Sequence, residues 1–93
     1  MRTAFINTLH ALAEQDKRIM LLSGDLGFSV LEKFQKEFPD RFLNMGVAEQ
    51  NMIGTAAGLS LSGMKPYVYS IVPFATMRCF EQIRNDICYQ NVD

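Results

Sequence analysis

Phe42-Leu43-Asn44-Met45-Gly46-Val47-Ala48-Glu49-Gln50-Asn51-Met52 is the stretch that decides how this chain folds. Phe42-Leu43 is a short apolar run that reads as a strand, within an extended segment from Arg41 to Met45. Asn51 to Leu61 reads as a helix. Glu49 therefore lies at a strand-to-helix junction, where α/β folds usually place their ligands. A carboxyl group there can accept or donate one well-aimed proton.

Upstream, Thr3 to Ala13 predicts a helix, because Phe5, Ile6, Leu9, Leu12 and Ala13 recur at helical spacing. Arg18 to Ser23 predicts a strand, and its run Ile19 to Leu22 does not alternate, so both faces are covered, as in a parallel sheet. Gly24-Asp25-Leu26-Gly27 is a loop. Ser29 with Glu32 fits a capping box that opens a second helix, with Val30, Leu31, Phe34 and Phe38 on its buried face and Pro39 as its stop. Downstream, the small residues Gly54, Ala56, Ala57 and Gly58 let the third helix pack close to its neighbours, and Gly63 ends it. Tyr67 to Ile71 predicts a third strand. Phe74 to about Tyr89 predicts one final helix, with Met77, Phe80, Ile83 and Ile87 as its inner stripe.

Strands alternating with helices imply an α/β fold with three layers, α/β/α, and a mostly parallel sheet. The 93 residues suffice for one small domain. Three strands are few for a doubly wound sheet, so the expectation is a partial, truncated domain over residues 1–93, or half of a larger unit.

Hydrophobic residues make up 48% and charged residues 20%, the composition of a packed globular chain. The net charge is −1 with no basic stripe, which argues against nucleic acid as a partner. No apolar run is long enough to cross a bilayer. Met1-Arg2-Thr3-Ala4 lacks a signal peptide's apolar core, and the chain reads as cytoplasmic. Cys79 and Cys88 have neither a CxxC nor a zinc spacing. On one helix they would face different directions, so two free, mostly buried thiols are expected. His10 lies in the first helix, far from the Glu49 stretch, and reads as a surface or helix-packing residue. Taken alone, Glu49 also reads as a first-turn acid that complements the helix dipole.

Gly46-Val47-Ala48-Glu49-Gln50-Asn51-Met52, Ala56-Ala57-Gly58-Leu59, Gly63, Lys65-Pro66, Tyr69-Ser70, Phe74 and Arg78-Cys79-Phe80-Glu81-Gln82-Ile83-Arg84-Asn85-Asp86 together resemble the transketolase family. More narrowly, they resemble the pyrimidine-binding domain of thiamine-diphosphate enzymes, as found in the separate C-terminal subunit of split transketolases. The resemblance implies a transferase that moves a two-carbon ketol unit between sugar phosphates. It implies that Glu49 hydrogen-bonds N1′ of the cofactor's aminopyrimidine, which makes the neighbouring amino group a base for the thiazolium C2 proton. Burial favours the protonated form of a carboxyl group, which suits such proton sharing near neutral pH.

The resemblance further implies that Phe74 stacks on the pyrimidine, with Tyr69 a weaker candidate for the same pocket and core packing its plainer role. Asp25 and Leu26 match an Asp-Leu pair near the thiamine, or else form an ordinary surface turn. Arg78 either faces a substrate phosphate or pairs with Glu81 one helical turn on. Gln50 and Asn51 are expected to bond loop backbone near the site. The Gly-Asp-Gly…Asn motif that holds the diphosphate through a metal is absent. The resemblance therefore assigns Mg²⁺ and the diphosphate to a partner domain or subunit in a homo- or hetero-oligomer, and no metal to this chain. Deoxyxylulose-phosphate synthase and the β component of 2-oxo acid dehydrogenases share the framework. Asn51 fits transketolases better, since the synthases carry histidine there. A non-catalytic assembly module, with Met52 to Leu61 as a dimerisation surface, is the alternative of another class.

Overall fold

The computed structural model describes residues 1–93. Helix α1 (Arg2–Gln15) leads into strand β1 (Ile19–Ser23), followed by α2 (Glu32–Glu37) and a 3-10 turn at Pro39–Arg41. Strand β2 (Phe42–Asn44), helix α3 (Glu49–Leu61) and strand β3 (Lys65–Tyr69) follow. The chain then forms two short helices, α4 (Val72–Ala75) and α5 (Phe80–Gln82), the second running on into a π-helical stretch, Ile83–Cys88.

The sheet has the order β2-β1-β3, and both pairings are parallel. All five residues of β1 are buried, as its central place requires. Alternate β1 side chains enter opposite layers. Ile19 and Leu21 join Ile6, Leu9 and Ala13 of α1 with Leu31 and Phe34. Met20 and Leu22 join Met52 and Ala56 of α3. Hence α1 and α2 cover one face, α3 covers the other, and the expected three-layer α/β/α arrangement is present.

Polar side chains tie the first layer down. His10 is buried, and its Nε2 lies 2.6 Å from Glu37 Oε2, which joins α1 to α2. Arg41 donates 3.0 Å bonds to the carbonyls of Ala13, in the last turn of α1, and of Asp16, just beyond it. Of the expected capping box, only one arm forms: the Ser29 N–H donates to Glu32 Oε1 at 2.7 Å, while α2 starts at Glu32 without a side-chain cap.

Four local expectations are corrected. First, the final helix is broken: Met77 and Phe80 are exposed, and Cys79 takes the buried place between them. The Thr76 N–H keeps its helical bond to the Val72 carbonyl at 3.0 Å, but the Arg78 N–H then reaches five residues back to the Pro73 carbonyl at 3.1 Å, so the α-helical ladder is lost after Thr76. Second, Leu12 is exposed although it fits the helical period. Third, the glycines of α3 are not close-packed: a Cβ built on Gly54 or Gly58 meets nothing within 4 Å, and only Ala56 and Ala57 are buried. Fourth, Cys88 is exposed, and only Cys79 is a buried thiol.

Candidate functional site

The carboxyl end of each strand contributes one residue to a common point. After β1, Gly24 bonds through its N–H to the Tyr69 carbonyl at 3.1 Å, which brings the ends of β1 and β3 together. After β2, Asn44 Oδ1 accepts from the Gly46 N–H at 3.0 Å, and this tight turn swings the chain into α3 with Glu49 as its first residue. After β3 comes Ser70. A Cβ built on Gly24 would lie 3.4 Å from Ser70 Oγ and 3.6 Å from Glu49 Oε1. The point lies beside β1, where the chain's crossovers diverge to β2 and β3, the usual ligand position of an open parallel sheet.

Glu49 is only 3% exposed. Its Oε2 accepts from Arg78 Nη1 at 3.2 Å, while its Oε1 is buried without a partner, as is Ser70 Oγ. A first-turn acid that merely complements the helix dipole needs neither burial nor a free oxygen. An unpartnered buried acceptor costs about 1–3 kcal/mol. A donor brought to Glu49 Oε1 would remove that cost.

Arg78 pairs with Glu49 and not with Glu81, correcting the expected helical pair, because the break before Cys79 turns it back toward α3. Its guanidinium carbon also sits 4.1 Å from the centroid of the Phe74 ring. The Arg78 carbonyl accepts from Gln50 Nε2 at 3.0 Å. Gln50 thus bonds loop backbone as expected, while the exposed Asn51 makes no such bond. Val47, Ala48, Glu49, Gln50, Asn51 and Arg78 line a cleft of about 400 Å³.

The other expected residues lie apart from this cleft. Asp25 is exposed and accepts from Asn44 Nδ2 at 2.9 Å, bridging the loops after β1 and β2. Leu26 is held by Ser23 Oγ, which accepts its N–H at 3.2 Å and donates to its carbonyl at 2.8 Å. Asp25 and Leu26 line a separate hollow of about 90 Å³ against β2. Tyr69 stacks on Phe5 at 6.0 Å and packs on the α1 side of the sheet. It closes over Gly27, whose φ of +94° and whose Cβ position, 2.5 Å from Leu31 Cγ, leave no room for a side chain. Tyr69 is core packing here.

Two site residues escaped the sequence reading. Ser70 and Gly24 are small, but each directly follows a strand that ends at the same edge, and that position was the available signal. Cys79 is a third neighbour: its Sγ–H donates to the Phe74 carbonyl at 3.2 Å. Burial pushes its thiol above the usual range and the Glu49 carboxylate adds to this, while Arg78 opposes it. At neutral pH a disulfide reagent is therefore expected to titrate one thiol, Cys88, in the native chain and the second only on unfolding. Rapid labelling of both thiols without denaturant would contradict the buried Cys79.

No helix is long and apolar enough to cross a membrane. The family model described as "Transketolase, pyrimidine binding domain" matches residues 1–93. A protein of Methanocaldococcus jannaschii named "Putative transketolase C-terminal section" is 43% identical over 94 residues, covering 100% of this chain and 30% of that protein. A 1-deoxy-D-xylulose-5-phosphate synthase of Shouchella clausii is 39% identical over 92 residues, covering 98% of this chain and 14% of the synthase. Among solved structures, "Split gene transketolase, inactive beta4 tetramer" superposes with a TM-score of 0.86 at 46% identity, over 96% of this chain and 30% of that one. The chain thus spans less than a third of the length of these relatives. A matching family over every residue, a parallel β2-β1-β3 sheet and a buried glutamate at its switch point agree: the chain belongs to the transketolase family, as a pyrimidine-binding domain.

Proposed function

We propose that this chain holds the aminopyrimidine half of thiamine diphosphate at the Glu49 cleft, as a component of a transketolase-type transferase. The transferred group is a two-carbon ketol unit and the substrates are sugar phosphates. The observation that carries this reading is the buried Glu49 carboxylate, which keeps one oxygen on Arg78 and the other without a partner. Glu49 Oε1 accepts from the ring N–H and exchanges a proton with it. Phe74 offers an apolar face to the flat ring. Asp25 and Leu26 shape the loop beside Gly24 at the outer edge of the site, and Tyr69 supports that loop from the core side. When bound, the cofactor supplies the carbon nucleophile that carries the ketol unit.

Mg²⁺ and the diphosphate fall to a partner subunit or domain. Exposed Val47, Ile71, Val72, Phe80 and Tyr89 are apolar side chains that such a partner would cover. A synthase forming deoxyxylulose phosphate is the second reading, supported by the 39% identity to one such enzyme. Product analysis separates the two.

Calorimetry with thiamine diphosphate and magnesium tests the proposal, first on this chain and then on its mixture with the subunit that carries the diphosphate motif. Saturable binding in the mixture, lost in Glu49→Ala, is the expected result. Equal binding by Glu49→Ala would leave Glu49 a structural helix-start residue and the chain an assembly module.

A further inference from the structure

We propose that Arg78 is a resident competitor for the aminopyrimidine, a planar guanidinium that fills the ring's place in the free chain and must swing out for the ring to enter. This rests on Glu49 and Phe74 being the ring's two contacts. The same two groups are the ones that Arg78 engages: it donates to Glu49 Oε2 at 3.2 Å and lies 4.1 Å from the Phe74 centroid. A guanidinium is flat, delocalised and rich in N–H donors, so it satisfies a carboxylate and an aromatic face as a protonated aminopyrimidine would.

Phe74 is absent from the lining of the Glu49 cleft, whereas Arg78 is part of it. The guanidinium covers one face of the Phe74 ring and belongs to the lining of the cleft. Its anchoring suits a gate. The backbone at Arg78 is fixed to the first turn of α3 through Gln50, while the side chain is 46% exposed. Rotation about side-chain bonds alone releases it into water, with no backbone shift. The contact to Glu49 Oε2 is part-buried, and an N–H arriving at the free Oε1 offers the same carboxylate a second donor that takes over the role of Arg78. The gate therefore discriminates. An apolar ring covers Phe74 but leaves Glu49 without its countercharge, which is costly. A simple cation pairs with Glu49 but cannot stack. A flat ring with a hydrogen-bond donor displaces Arg78 on both counts. The freed guanidinium is then available to a substrate phosphate.

The test titrates the hydroxymethyl aminopyrimidine that is the free half of thiamine into wild type, Arg78→Gln and Glu49→Gln. Calorimetry measures affinity, and the Arg78 Nε–H signal is followed by NMR in the wild type. Near saturation that signal should lose its ring-current shift and approach the position of a solvated arginine. Arg78→Gln should bind about tenfold tighter than wild type, because no cation has to leave the Phe74 face. An Arg78 signal unmoved at saturation overturns the proposal, as does equal or weaker binding by Arg78→Gln; in both cases wild-type binding that is lost in Glu49→Gln leaves the cofactor reading standing. Absence of binding to folded wild type and folded Arg78→Gln alike overturns both. Thermal melts of each variant establish that it is folded.

Discussion

Glu49→Gln, assayed with the diphosphate-binding subunit and saturating cofactor, is expected to lower kcat by about 10²–10⁴-fold, the usual contribution of a positioned acid–base group. The amide has nearly the carboxylate's shape and still accepts from Arg78, but it cannot take up and return a proton. The fold should tolerate the change. Removing one member of a buried ion pair is costly when the other charge is left stranded in the interior. Here the other charge is Arg78, whose side chain is 46% exposed, so it stays solvated while it donates to the amide oxygen. Loss of turnover with a melting temperature within a few degrees of wild type is therefore the predicted pair of results. Full turnover in Glu49→Gln would reduce Glu49 to a helix-start residue and remove the basis of the proposed function.

The second large effect is on stability. Phe34 is fully buried in the layer formed by α1, α2 and β1, with the Phe38 ring 5.0 Å away. Phe34→Ala should cost about 3–5 kcal/mol, from lost transfer energy and the cavity left behind. A domain of this size has a total stability of about 5–15 kcal/mol, so the substitution removes a large part of it. A fall in Tm of the order of 20 °C is expected by calorimetry. Phe80→Ala is the matched control. Phe80 is 66% exposed, and its truncation in the isolated chain should shift stability by no more than about 0.5 kcal/mol. Equal losses from the two would mean that Phe80 lies inside a continuous last helix and that the break at Thr76 is wrong.

These two aromatics mark where sequence reading works and where it stops. Phe34 and Phe80 both sit at helical spacing among apolar neighbours. For Phe34 the period is a true guide, because α1 and the sheet supply a surface for the whole stripe. For Phe80 the stripe is interrupted by a shift in the backbone bonding that periodicity does not register, where the Arg78 N–H reaches back to the Pro73 carbonyl, and the chain turns before the stripe reaches the sheet. Leu12 shows the same limit: it fits the period of α1 but faces solvent. The candidate site divides in the same way. Glu49 was legible because a strand and a helix flank it closely in sequence. Its partnership with Arg78 was not, because the two lie 29 residues apart and meet only through the broken helix.

Legible from the sequence were the alternation of strands and helices, the parallel sheet implied by the unalternating Ile19 to Leu22, and the place of Glu49 at the junction of β2 and α3. Those features depend on local periodicity and turn chemistry, which neighbouring residues encode among themselves. The assembled fold alone shows that Glu49 is buried with one oxygen satisfied and one free, that Gly24 and Ser70 converge on it, and that Arg78 covers Phe74. Each of those depends on strand ends brought side by side by the β2-β1-β3 order, and burial and charge pairing exist only once those distant segments meet.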